Sequence, residues 1–232
     1  MDSLFGSLLL LIVAVVAWCV ASEGAWGAVL TFFCVVFAGL SAMNMFEPFA
    51  EFLEKSGSAV RPFADVVALV GLFAAGVFLL RMATEYFAPN DVELDARVFQ
   101  VLRWIFAVAT GYVAMAFLLT ALHTAPLPRE FLGFRPEARN FFDIAAPDRQ
   151  WLGFAQFVSE NVLPASRVFD GPRYTVEGTD QTIWPSFPIR YATRREQAAS
   201  GRQAMGKGGP SAIEGPGGGP QPITGGSSSS GF

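Results

Sequence analysis

Residues 63–87 read FADVVALVGLFAAGVFLLRMATEYF. Fifteen uncharged residues, Val66–Leu80, separate Asp65 from Arg81. With its flanking aromatics the run is long enough to cross a hydrocarbon core of about 30 Å, which takes roughly 20 residues. Asp65 and Arg81 then fall near opposite ends, about 24 Å apart along the helix, and each can snorkel to its own interface. Ala64, Ala68, Gly71 and Ala75 recur at i, i+4, i+7 and i+11. That spacing puts small side chains on one face, where another helix can approach closely. A buried helix of a soluble core would look similar. Three further runs of the same kind surround this one, however, and the combination reads as a membrane bundle.

Residues 3–22, SLFGSLLLLIVAVVAWCVAS, carry no charge, and no Lys or Arg precedes Lys55. A signal peptide has a positively charged start and a shorter apolar core, so this run reads as a retained first span. Ala14, Ala17 and Ala21 give it a small face, and Trp18 fits an interfacial aromatic belt. Glu23 and Gly24 leave room only for an antiparallel hairpin into the next run, residues 24–46, which is again uncharged. Its stripe of Gly24, Ala28, Thr31, Cys34, Ala38 and Ser41 (or Ala42) is small or weakly polar, and Asn44 near its end reads as a cap or interface residue. Phe46–Lys55 follows as FEPFAEFLEK, with Phe46, Phe49, Phe52 and Leu53 on one helical face and three glutamates elsewhere. Pro48 suits the first turn of a new helix. The segment reads either as a short amphipathic helix at the membrane surface or as a cap over the bundle.

After the 63–87 run, Ala88–Asp91 breaks the chain, and Asp91, Glu93, Asp95 and Arg97 make a polar linker. The fourth apolar run extends from Val98 to about Ala125, with Arg103 early in it and Ala107, Gly111 and Ala114 at small-xxx-small spacing. Pro126 and Pro128 stop it. His123, the only histidine, lies at its far end and reads as an interfacial side chain with no chemical role. Beyond residue 125 the composition changes, and eleven of the sixteen Lys and Arg are found there. An amphipathic helix is expected near Pro147–Val162, on a stripe of Trp151, Phe154, Phe157 and Val158. The aromatic-rich segment is too short to bury so much surface alone, so it is expected to lean on the membrane or on a partner. After Ser200 a Gly/Ser/Pro tail cannot bury enough apolar area to order itself.

The expected fold class is therefore all-α: a polytopic membrane protein of four transmembrane helices, with a short amphipathic interfacial helix and a partly ordered C-terminal segment. The spans are about 3–22, 24–45, 63–85 and 98–124, with the interfacial helix at 46–55. An extramembrane segment, 126–198, and a disordered tail, 199–232, complete the chain. Four spans put both ends of the chain on one side. Five Lys and Arg flank the spans there against three on the other side, which weakly favours that side as cytoplasmic.

Chemistry is sparse. One His and two Cys give no raw material for a zinc-type site. Lys207 lies in GKGG, but in a flexible tail and not at a strand-to-helix turn, so it makes no phosphate loop. No serine nucleophile elbow occurs. A net charge of −4 without a basic cluster gives no nucleic-acid footprint. No catalytic, cofactor-binding or metal-binding residue is therefore assigned, and no cofactor is expected. The intramembrane polar candidates are Asp65, Arg81 and Arg103. All three lie near span ends and read first as snorkelled anchors; Asp65 is the best candidate for the rival reading, a polar pathway. The helix-packing candidates are Gly71, Ala75, Ala107 and Gly111.

Four closely spaced spans, with an acidic-basic linker before the last, resemble the colicin V production (CvpA) family of bacterial inner-membrane proteins. The turn Glu23-Gly24-Ala25-Trp26-Gly27-Ala28-Val29-Leu30 is similar to that family's glycine-bearing first loop. Asp95-Ala96-Arg97-Val98 looks like its Asp-Arg segment before the fourth helix, and Gly111 like a glycine within that helix. The resemblance covers residues 1–125. The chain departs from the family in having Glu23 as the only charge of a loop that is usually basic, and in the Ala96 that separates Asp95 from Arg97. Gln100 and Arg103 stand where the family has small residues, and residues after 125 have no counterpart. The resemblance implies a non-enzymatic multi-pass protein of the bacterial inner membrane, with a role in toxin production or export or in envelope homeostasis. It implies membrane or envelope proteins as partners besides the lipid bilayer, and self-association is compatible with it. The rival expectation is a small transporter or channel subunit with Asp65 in its polar path. It gains if Asp65 is buried on the Ala64–Ala68 face and loses if Asp65 faces lipid near the headgroups.

Overall fold

A computed structural model describes residues 2–56, 63–87, 95–125, 134, 139–142, 144–162, 174–175, 182–183 and 187. The expected disordered tail, 199–232, lies outside these residues. The described part is almost wholly helical. Four long helices, α1 (Asp2–Ala21), α2 (Gly24–Ser56), α3 (Ala64–Phe87) and α4 (Ala96–Thr124), are each long and apolar enough to cross a membrane. A short α5 (Pro147–Phe157) runs into a π-helical turn, Val158–Val162. The only paired strands among the described residues are two residues each, Tyr174–Thr175 and Thr182–Ile183, antiparallel.

The hairpin between α1 and α2 is as tight as the two residues Ser22 and Glu23 allow. The Ser22 and Glu23 amides bond back to the carbonyls of Trp18 and Val20, and Gly24 then takes φ of 88° to reverse the chain. A side chain at that φ would be strained. At the other end of the bundle, α2 runs straight on through residues 46–55. The separate interfacial helix expected there is instead the end of one 33-residue helix, with Pro48 in its interior. An interior proline removes the bond to Asn44 and crowds its carbonyl. Packing holds the helix together across it. Met43, Phe46 and Ala50 are buried against Ala64, Ala68 and Leu69 of α3 and against Phe187. The expected aromatic face is thereby divided, with Phe46 inside and Phe49 and Phe52 outside.

The helices lie in the order α3, α2, α4, α1. α2 packs on both α3 and α4, and α1 packs chiefly on α4. Small residues fill one end of the α1–α4 contact, as expected where lipid supplies no hydrophobic drive between helices, and larger ones, Phe5, Leu9, Val13, Met115 and Leu119, fill the other. Ala17 and Ala21 of α1, Ala28 of α2 and Ala107 of α4 are buried together. One turn further along α4, a Cβ on Gly111 would lie 2.7 Å from the carbonyl oxygen of Val13, so backbone meets backbone there. Between α2 and α3, Ala38 meets Gly76, where a Cβ on the glycine would lie 3.1 Å from that of Ala38. α3 reaches α4 through the stacked rings of Phe73 and Phe117, 4.1 Å between centroids.

Asp95 caps α4: its carboxylate accepts from the Arg97 amide at 2.9 Å, one of the donors a helix start leaves unmatched. Asp95→Ala should lower stability by about 1 kcal/mol, read as a shift in the detergent unfolding midpoint. Asp95→Asn keeps an acceptor and should shift it far less.

Candidate functional site

α5 is where the structure departs most from the sequence reading. Its buried face is Asp148, Trp151, Leu152 and Ala155, at i, i+3, i+4 and i+7. The expected stripe was Trp151, Phe154, Phe157 and Val158, yet Phe154 and Phe157 are exposed. The helix is turned by its carboxylate. Asp148 and His123 are both fully buried, and Oδ2 of the one lies 2.9 Å from Nε2 of the other. His123 sits in the last turn of α4 and Asp148 in the first turn of α5. The bond therefore joins the end of α4 directly to the start of α5. Phe134 stands edge-on to the imidazole at 5.6 Å between centroids, and Phe187 packs at 6.5 Å.

Below the pair, Trp151 stands edge-on to Phe117 and fills the place a side chain on Gly39 would take: a Cβ there would lie 2.6 Å from the indole. The Tyr112 hydroxyl donates to the Gln150 side-chain carbonyl on the rim. Thr120 and Thr124 return their hydroxyls to the carbonyls of Ala116 and Ala121, so neither is free for chemistry. The described part of the C-terminal segment thus leans on the chain's own bundle. Phe134 packs on Phe5 and Phe187 on Phe46, besides the contacts of α5.

The intramembrane candidates are not brought together. Asp65 begins α3 at the α5 end of the bundle and is buried, 4% exposed, between Ala64 and Ala68. Arg81 and Arg103 lie at the opposite end. Arg81 is no simple snorkelled anchor: its guanidinium sits 2.9 Å from Glu23 and 3.1 Å from Glu85. The Arg81 pair ties the α1–α2 turn to α3, and Glu23 also accepts from the Thr31 hydroxyl of α2 at 2.9 Å. Arg103 is half-buried, with its guanidinium 5.8 Å from the Trp104 ring centroid. Among the described residues no three His, Cys, Asp or Glu side chains converge in a way that could hold a metal ion.

Of the packing candidates, Ala107 and Gly111 lie in the α1–α4 contact. Gly71 and Ala75 are corrected: both are exposed on the outer side of α3, and a Cβ on Gly71 meets nothing within 4 Å. The period placed Ala64, Ala68, Gly71 and Ala75 on one stripe, but α2 covers only its first turns. Sequence reasoning missed Asp148 altogether and gave His123 no role. A signal was present: Asp148 falls on a helical face with Trp151, Leu152 and Ala155, and a carboxylate on an apolar face asks for a partner.

Fold and site define a multi-pass α-helical membrane protein whose C-terminal helix folds back into its own bundle. No protein-family model, curated protein or solved structure matches the chain.

Proposed function

We propose that this is a non-enzymatic protein of the bacterial cytoplasmic membrane that acts through partner proteins. In the manner of the colicin V production family, it would serve toxin production or export, or envelope homeostasis. What supports the reading is the position of the three features that resemble that family: each is a joint of the bundle. Gly24 reverses the chain between α1 and α2. Asp95 starts α4, and Gly111 admits the α1 backbone. The test is expression of the full chain in a colicin V-producing bacterium that lacks its own colicin V production protein. Restored toxin in the medium is the expected result. No restoration by a chain shown to be inserted in the membrane would overturn the reading.

One observation favours the second reading, a small transporter or channel subunit: Asp65 is buried on the Ala64–Ala68 face, where a polar path would need it. Against it, the α2–α3 seam beyond Asp65 closes at Ala38 and Gly76. Ion flux into proteoliposomes that vanishes with Asp65→Asn would put this reading first; equal flux with and without the protein would remove it.

A further inference from the structure

The exposed part of α5 is itself divided. A helix turns about 100° per residue. On that wheel Asp148, Trp151, Leu152 and Ala155 form the buried sector. Phe154 and Phe157, both exposed, form a second sector, and the exposed Arg149 and Gln156 form the third. An apolar edge and a polar edge on either side of a packed stripe suit a helix lying where protein, lipid and water meet.

The contacts with α4 orient the two edges. Asp148 reaches His123 in the last turn of α4. Trp151 reaches Phe117, about 9 Å further into the span at 1.5 Å per residue. Gln150, which shares the sector of Phe154 and Phe157, reaches Tyr112 near the middle of α4. This order around α5 turns the two phenylalanines toward the bilayer centre. It turns Arg149 and Gln156 toward the end of the bundle. α3 gives the same depth: Phe117 stacks on Phe73, about 14 Å along α3 from its first residue. Trp151 therefore sits at the level of the apolar spans and not above them.

The turn before α5 lies at the edge of the same layer. Phe142 takes φ of 51°, a region that residues other than glycine seldom occupy. Its ring rests against Gly6 of α1, where a Cβ would meet it at 3.2 Å. Gly6 belongs to the first turn of a span that begins at Leu4. Phe142 keeps part of its ring exposed there, and Ile144 is 79% exposed.

We infer that the outer face of α5 and of the turn before it is set in lipid. Phospholipid acyl chains cover Phe142, Ile144, Phe154 and Phe157, while Arg149 and Gln156 meet water. Aromatic rings are favoured at this boundary between hydrocarbon and headgroups. The membrane domain then extends through Phe157, and the extramembrane segment expected from residue 126 starts only beyond α5.

The test uses the full chain in proteoliposomes, with Cys19 and Cys34 replaced by alanine. A fluorescent label is placed on one new cysteine at a time: Ile144→Cys, Phe154→Cys, Phe157→Cys, Arg149→Cys or Gln156→Cys. All five side chains are exposed, so labelling leaves the packed stripe intact. Labels at 144, 154 and 157 should be quenched by nitroxides carried on lipid acyl chains and spared by aqueous iodide. Labels at 149 and 156 should show the reverse. On the unchanged chain, a phospholipid with a diazirine in its acyl chain should leave adducts on Phe154 or Phe157 after irradiation. Iodide quenching at 154 and 157 equal to that at 149 would overturn the inference, and would leave this face open to a protein partner instead. Adducts confined to α1–α4 would overturn it as well.

Discussion

His123→Leu should release α5 or destabilise the folded chain by about 3–5 kcal/mol, and Asp148→Leu should do the same. Both side chains are withdrawn from water beside Phe134 and Phe187, so removing either takes a buried hydrogen-bond partner from the other. Replacing both together is a different experiment. Two leucines in this place bury apolar surface and leave neither group of the pair behind, so a large part of the loss should be recovered. Groups in direct contact act non-additively, commonly by about 0.5–3 kcal/mol. Detergent unfolding of the four members of the cycle, with hydrogen exchange of the α5 amides, supplies both readouts. Single-replacement losses that simply add in the double variant would show that the two groups do not act as a pair.

Gly111→Leu should be the most damaging replacement in the α1–α4 contact, costing about 3 kcal/mol or more in detergent stability. Overpacking is tolerable where a flexible side chain can move aside. Here the obstacle is the carbonyl oxygen of Val13, 2.7 Å from the new Cβ, and its carbonyl carbon and Cα follow at 3.3 Å. Relief requires α1 to move away from α4 as a body, which also opens the buried alanines Ala17, Ala21, Ala28 and Ala107. Gly71→Leu is the control. It lies in a span of the same apolar character, yet its Cβ has open space, so stability should stay within about 0.5 kcal/mol. Equal effects at the two glycines would mean that α1 and α4 do not approach as described.

The contrast between these glycines shows what a sequence pattern can and cannot carry. Small residues at helical spacing mark a face that permits close approach. Whether a neighbour takes up the offer depends on where the other helices go. On α4 the stripe of Ala107, Gly111 and Ala114 meets α1. On α3 the stripe is used only at Ala64 and Ala68, because further along α2 meets the face that carries Gly76 instead. Gly39 and Gly76, which do receive neighbours, were no more conspicuous in the sequence than Gly71.

The sequence by itself determined the four membrane helices, the hairpin at Glu23–Gly24 and the amphipathic helix after Pro147. These depend on local quantities: runs of uncharged residues matched to the thickness of a bilayer, a connection too short for any other path, and helical periodicity. Only the tertiary structure decided that α2 continues through Pro48, because burial of Phe46 and Ala50 outweighs a lost backbone bond. It also decided which side of α5 is inside. Periodicity weighs apolar side chains and so favoured Phe154 and Phe157. The helix turned instead to bring Asp148 to His123, 25 residues away in the chain. A buried polar group is costly alone and tolerable when hydrogen-bonded. A pairing across that distance is a property of the folded chain, and no local pattern records it.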